Sequence, residues 1–276
     1  MSLITFTSCF GSGGEIIAQK VAEQLGIEFI DDTKLQARAL SMGISSKDLE
    51  GLDEKAPRLF DRLFTNKPAL YVDLLGSVIY DVASKGEGVI VGHGTQVFLE
   101  DFHCALHVMI HASEEMRSEW LSKEQNISAE DALQLVHRMD KRQKEFIQYA
   151  FQRDWKDSSG YDLVINLEKV GVDWATKIIV KLAGSEQIQE CSLKAIEEME
   201  ASSLQRKVDA VIIKANLSPV FAPIFVDVTG KGKVNLRGFV SNKEGMNRVI
   251  EMVKDIQGVS EVTTQIVVVP PGGYGE

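Results

Sequence analysis

At 276 residues the chain has room for one medium domain and one small one, each able to bury a core, and 44% hydrophobic with 25% charged residues are the proportions of a soluble globular protein. A net charge of −10, with neither the first 184 residues nor the remainder basic, excludes a broad nucleic-acid-binding surface, because a phosphate polymer needs a cationic footprint. Three widely spaced cysteines, Cys9, Cys104 and Cys191, do not read as a disulfide framework. With no leader-like N-terminus and no apolar run approaching about 18 residues, they predict a cytoplasmic protein without signal peptide or membrane span.

The first element is an apolar strand over residues 3–7, followed by Gly11-Ser12-Gly13-Gly14 and a helix pattern through Ile16, Ile17, Val21 and Leu25 that stops at Gly26. A glycine loop between a strand and a helix aims backbone N–H groups at an anion, and the helix N-terminus adds about half a positive charge. The full phosphate-loop pattern G-x-x-x-x-G-K-[ST] also supplies a lysine and a magnesium-binding hydroxyl. With Ser8 at its first glycine, the lysine position falls on Gly14 and the hydroxyl position on Glu15, so both charge-handling groups are absent. A carboxylate about 5 Å from a phosphate charge, at an effective dielectric of about 20, is repelled by roughly 3 kcal/mol.

Further short apolar runs at 28–30, 89–91, 105–110 and 163–165 alternate with helical patterns, including 70–84 and 174–182. Continuous apolar strands separated by helices predict a parallel sheet covered on both faces, with ligands at the carboxyl ends of the strands. Those ends are Ser8, Asp31, Gly92, His111 and Asn166. From 113 to about 151 the pattern is helical and charged, broken at Asn126-Ile127, with Ser128-x-x-Asp131 as a start signal; two polar helices here read as a lid.

After Gly184 a charged, helix-prone connector covers 185–202, and a new unit follows over 203–269. Its order is a helix bearing Leu204, Val208, Val211, Ile212 and Ala215, a break at Ser218-Pro219, two alternating strands joined by Thr229-Gly230-Lys231-Gly232, a helix, and a last strand. Residues 270–276 have turn chemistry and read as a flexible tail.

Several residues over 1–184 together resemble the cytidylate-kinase-like family of P-loop nucleoside monophosphate kinases. They are Gly11 to Gly14, Phe29-Ile30-Asp31-Asp32, Val89-Ile90-Val91-Gly92-His93-Gly94, the lid through Asp140, Asp154-Trp155, and Tyr161-Asp162 with the strand after it. The stretch from Gly232-Lys233-Val234 to Val240, with Gly258-Val259 after the second helix, resembles a BON domain. The resemblance implies an α/β fold, a P-loop kinase-like parallel sheet with a helical lid, joined to a small α+β unit in αββαβ order. It implies ATP with Mg²⁺ if the chain is active, and phospholipid, small-ligand or protein contact through the BON unit, which allows a homo-oligomer. The chain departs from the family at Glu15, where a basic residue is common, at His93, where an arginine is common, and at Gln143, where an arginine often follows the lid aspartate.

Phosphoryl transfer is mostly positioning and charge neutralisation, so the candidates are cations and oxygen ligands at the strand ends and lid. Arg138, Asp140 and Arg142 are the catalytic candidates, with Arg138 and Arg142 at i and i+4; a solvated helix face is the bland alternative. Gly11, Ser12, Gly13, Gly14, Glu15 and His93 are the nucleotide- or phosphate-binding candidates, and His93 equally suits a structural hydrogen bond. Asp31 and Asp32 suit acceptor binding or helix capping alike. His103, His107 and His111 recur every four residues, so successive ones lie about 13 Å apart along a strand, too far for one zinc, and no metal site is expected. Asp154-Trp155 and Tyr161-Asp162 read as a border of the nucleotide site or as anchors of the lid, and Trp120 and Trp174 as packing residues. Three functions remain open: a nucleotide- or anion-binding protein descended from a kinase and catalytically weakened, sensing or regulating through its BON unit; an active CMP/dCMP kinase; or a structural adaptor with an empty loop.

Overall fold

A computed structural model describes residues 2–44, 68–188, 190–215 and 224–269 of the chain. The expected break at Ser218-Pro219 and the tail from 270 lie outside the described residues. In chain order the first unit comprises β1 (Leu3–Ser8), α1 (Gly14–Leu25), β2 (Phe29–Ile30), α2 (Asp32–Ser41), α3 (Pro68–Ala83), β3 (Gly88–Val91), α4 (Thr95–Phe98), β4 (Ala105–His111), α5 (Glu114–Gln125), α6 (Ala129–Phe151), β5 (Leu163–Asn166) and α7 (Leu167–Ala183). A long helix, α8 (Leu193–Ala215), leads into β6 (Phe225–Thr229), β7 (Lys233–Val240), α9 (Lys243–Lys254) and β8 (Glu261–Val268).

The first five strands form one parallel sheet in the order β2-β3-β1-β4-β5, with Leu3 level with Gly88 on one side and Ala105 on the other. Alternation along β1 divides the core. Ile4 and Phe6 join Ile17, Val21, Val108, Ala175 and Ile179 under α1 and α7. Leu3 joins Leu75, Ile79, Phe98, Phe146 and Trp155 under α3 and α6 on the other face. Each large side chain buried this way contributes about 1.5–3 kcal/mol, which is why the strands are apolar throughout. Ile16, expected on the apolar stripe of α1, is exposed, because Ile17, Ala18, Val21 and Ala22 already fill the face against the sheet.

Local signals place the helix ends where the residue types predict. Gly26, left-handed at φ 68°, returns its N–H to Ala22 and Glu23 and stops α1. Asn126, at φ 53°, ends α5, and the Ser128 side chain accepts from the Asp131 N–H at 3.0 Å to start α6. Asn166 caps α7, whose first turn is offset from the rest by Gly171 at φ 68°.

The small unit pairs β6 antiparallel and β8 parallel to β7, with α8 and α9 over the apolar face of Val226, Val234 and Leu236, and Val249 and Val253 of α9 join that core. Gly232 is left-handed, and a Cβ there would lie 2.1 Å from the Gly258 carbonyl oxygen, so the hairpin turn seats against the α9–β8 turn only with glycine.

Two features depart from expectation. The connector and the first helix of the small unit are one helix: α8 runs unbroken through the expected boundary at 202/203 and packs along α3. Ser203 donates to the Ser77 carbonyl at 2.7 Å, and Arg206 bonds Asp73 at 2.6 Å. The second departure is that Cys104 and Cys191 form a disulfide, with Cα atoms 5.0 Å apart. Sequence spacing hid the pairing because 87 residues separate the two, and only the docking of α8 brings them together. The cysteines therefore do not carry the reducing compartment read from them. Among the described residues no helix is long and apolar enough to cross a membrane.

Candidate phosphate-binding loop and lid

The loop from Cys9 to Gly13 leaves the end of β1 and turns into α1. The Cys9 N–H bonds the Ile110 carbonyl of β4, the Ser12 N–H closes a turn on the Cys9 carbonyl, and Ile17 starts α1 on the Gly13 carbonyl, all at 3.1–3.2 Å. Gly11 and Gly13 are left-handed at φ 76° and 79°, so the loop requires glycine at both. The Ser12 hydroxyl is buried and has no hydrogen-bond partner among the described residues. A buried hydroxyl without a partner costs about 1–3 kcal/mol, and an acceptor on a bound anion would remove that cost.

Gly14 explains the missing lysine sterically. A Cβ at this position would stand 2.3 Å from the Ser8 Cβ, with Ile110 behind it, so α1 starts too close to β1 for any side chain. Glu15, at the hydroxyl position, is exposed.

The two helices after β4 form the lid, and they rest on the loop. At Gly13 a Cβ would come within 2.5 Å of the Trp120 ring, and at Gly11 within 2.6 Å of Leu121, both on α5. From α6, Gln143 reaches the Ser8 carbonyl at 3.4 Å. A buried cation ties lid to loop: Arg117, 2% exposed, donates to Asp140 Oδ1 and Oδ2 at 2.8 and 2.9 Å, to the Phe10 carbonyl at 3.0 Å and to Ala112 at 3.2 Å. Lys156 approaches the same carboxylate at 3.6 Å.

Asp140 thus holds Arg117 and lies on the side of α6 away from Arg138 and Arg142, two residues to either side of it. Arg138 is exposed; Arg142 is half-buried with its guanidinium 3.8 Å from the Met139 sulfur, and neither meets a carboxylate among the described residues. Asp31 caps α2 by accepting from the Lys34 N–H at 3.0 Å. Asp32 instead bonds His93 Nε2 at 2.7 Å, joining the ends of β2 and β3. His93 is 1% exposed and left-handed at φ 58°, between Gly92 and Gly94, which are also left-handed. Gly94 admits Phe151 of the lid base, since a Cβ there would meet that ring at 2.4 Å.

The aromatic and histidine candidates have structural places. Trp155 is buried, and its carbonyl accepts from the Tyr161 hydroxyl at 2.7 Å; Asp162 accepts the His107 backbone N–H at 2.8 Å. His107 Nδ1 is hydrogen-bonded to the Thr5 hydroxyl at 2.8 Å, and burial pulls its pKa down. Trp120 packs, but Trp174 is 65% exposed on α7. Burial also pushes the Cys9 thiol pKa up, with Arg117 only partly opposing it, so the helix end beside it does not activate it.

Sequence reasoning counts Arg117 among the cations near the strand ends and lid but gives it no role. The signal available was an arginine one turn into a helix that follows a buried strand, with Asp140 on the next helix. Sequence reasoning missed that Gln143 would meet the loop directly.

Comparison with known proteins agrees with this geometry. Residues 3–169 match the family model of the cytidylate kinase-like family, and residues 201–270 match that of the BON domain. A cytidylate kinase of Methanothrix thermoacetophila is 26% identical over 165 residues, covering 59% of this chain and 87% of that protein. The crystal structure of an uncharacterised protein from Eubacterium ventriosum shares the fold at a TM-score of 0.53, with 24% identity over 66% of this chain and 97% of its own.

Proposed function

We propose, because the chain belongs to the cytidylate kinase-like family, that its first unit binds a nucleotide or another small anion at Gly11 to Gly14 with weakened phosphoryl transfer, while the BON unit serves recognition or regulation. The observation that carries this reading is the buried Ser12 hydroxyl, without a hydrogen-bond partner among the described residues, in a left-handed glycine loop at the start of α1. Such a loop suits a phosphate oxygen: Ser12 would donate, and the helix N-terminus would add its partial positive charge. The residues do not suit a magnesium ion held as the phosphate-loop pattern holds it. Glu15 replaces the hydroxyl, Asp31 is spent on a helix cap, and Asp32 on His93.

Weakened transfer follows from charge. The lysine position is closed by Ser8, and Gln143 brings an uncharged amide to the loop where an arginine is common in the family. Little positive charge remains to stabilise a transferring phosphoryl group, and that stabilisation is most of what such an enzyme supplies. Arg138 and Arg142, one turn apart and without carboxylate partners among the described residues, favour a second reading, an active CMP/dCMP kinase closed by lid arginines.

Calorimetric titration with ATP, ADP, CMP and dCMP, with and without Mg²⁺, together with a coupled assay for ADP release, separates the two. Binding without turnover is the expected result. Turnover that disappears in Arg142→Ala would establish the second reading, and no binding at millimolar nucleotide would remove both.

A further inference from the structure

One cleft lies away from the phosphate loop. It has a volume of about 780 Å³ and opens between α2 and the end of α3 on one side and the small unit on the other. Its first wall carries Arg38, Asp81 and Lys85, its floor is Lys207 of α8, and its far wall is the hairpin turn with Lys231 and Gly232, beside Gly258.

Arg38 is ion-paired with Asp81, and Lys85 with Glu28 at 3.0 Å. Lys207 has no carboxylate within ion-pair distance among the described residues. It is half-buried, and Asp81, the acid that attracts it, already serves Arg38, which repels it. Burial lowers its pKa, and Asp81 only partly opposes that shift. Two cations thus share one carboxylate at the cleft floor, and Lys231 adds another cation from the opposite unit.

We infer that this cleft is a second ligand site, for a small metabolite with a single oxyanion head, a carboxylate or a phosphate monoester, which supplies the counter-charge of Lys207 and bridges the two units. The volume lies within the ordinary range of small-molecule sites, about 300–1,000 Å³. Exposed Glu197 and Glu200 line the cleft as well, and their charge disfavours a polyphosphate. The hairpin wall is preformed, because Gly232 sits directly against Gly258 and the Ser260 N–H holds the Gly232 carbonyl at 2.8 Å. This site is independent of the phosphate loop, and neither reading needs the other.

Amide chemical-shift mapping of the full chain, titrated separately with inorganic phosphate and acetate at constant ionic strength, tests the inference and distinguishes the two heads. Saturable shifts at Gly230, Lys231, Gly232 and Gly258 are expected, weakened about tenfold or more in Lys207→Met and retained in Lys207→Arg. If Lys207→Met fails to fold, the exposed Lys231→Ala must weaken the same shifts. Shifts confined to Gly11 to Gly14 would overturn the cleft while leaving the phosphate loop supported. Saturable cleft shifts with equal affinity in Lys207→Met and Lys231→Ala, or none with either anion, would also overturn it.

Discussion

Replacing Arg117 with methionine tests the claim that one buried ion pair holds the lid on the phosphate loop. Arg117 is 2% exposed and Asp140 13%, and the fork-to-fork geometry at 2.8 and 2.9 Å leaves little room for water. Methionine keeps most of the apolar stem but strands a buried carboxylate whose remaining cation, Lys156, stands 3.6 Å away. Breaking such a pair from one side costs about 3–5 kcal/mol. For a unit of this size a urea m-value of about 2–3 kcal/mol per molar places the loss at a midpoint shift of roughly 1–2 M. Urea unfolding followed by tryptophan fluorescence reads it, since Trp120 rests on the loop and Trp155 is buried. The double variant Arg117→Met/Asp140→Leu should recover most of the stability, because an apolar pair removes the stranded charge. A single variant with an unchanged midpoint, or a double variant as unstable as the single, would show that the pair does not fasten the lid.

At the loop, Ser12→Ala should leave stability unchanged or raise it by up to about 1 kcal/mol while lowering anion affinity, because the hydroxyl it removes has no partner among the described residues; thermal melts and phosphate titration check the two halves. Gly14→Lys should destabilise the fold without strengthening nucleotide binding, whereas Glu15→Lys should strengthen it. At an exposed position with a dielectric near that of water, each charge at about 5 Å contributes only about 0.8 kcal/mol, so reversal gives roughly a tenfold gain. Burial, helped by Asp73 and opposed by Arg206, pushes the Asp209 pKa up to about 7 from 3.8. The fold therefore prefers this carboxyl protonated: its contribution is complete below about pH 4 and lost as pH rises through 7, so Asp209→Asn should recover up to roughly 4 kcal/mol at pH 8 and nothing at acid pH. Reduction of Cys104–Cys191 should lower stability by up to about 4–5 kcal/mol, as the entropy of an 87-residue loop implies, in denaturation with and without reductant.

Elements defined by local chemistry were legible in the chain. The glycine stop of α1, the Asn126 break, the Ser128 cap and the continuous apolar strands each depend on residues within one turn or one strand, and each stands where those residues place it. Features that depend on distant contacts were not. Nothing near Cys104 announces Cys191, and the run before Ser203, though legible as helix-prone, does not show that it is continuous with the next helix or that their shared buried face meets α3. At the candidate site, the glycines and the Asp31 cap could be read locally, but the contact that closes Gly14 comes from Ser8 across a turn. The repulsion assigned to Glu15 was set too high for the same reason: its exposure, which sets the dielectric, is a property of the fold.

The way Gly14 is closed decides how charge can be returned to the loop. Ser8 sits against Gly14 because α1 begins directly on β1, and the same approach buries Ile17 and Ala18 on the sheet. Moving the helix outward to seat a lysine would open the core beneath it, so positive charge must come from positions whose side chains already point away from the sheet. Glu15, at the exposed start of α1, is one; Gln143, which reaches the Ser8 carbonyl from α6, is the other. They belong to separate elements, and Gln143 reaches the loop only while the lid is down. Glu15→Lys should therefore strengthen anion binding whether or not the lid is held, but Gln143→Arg should do so only while Arg117 and Asp140 remain paired. Measured together, the gain from Gln143→Arg should vanish in an Arg117→Met background and that from Glu15→Lys should persist. Equal loss of both gains would mean that the loop itself, rather than the lid, depends on Arg117.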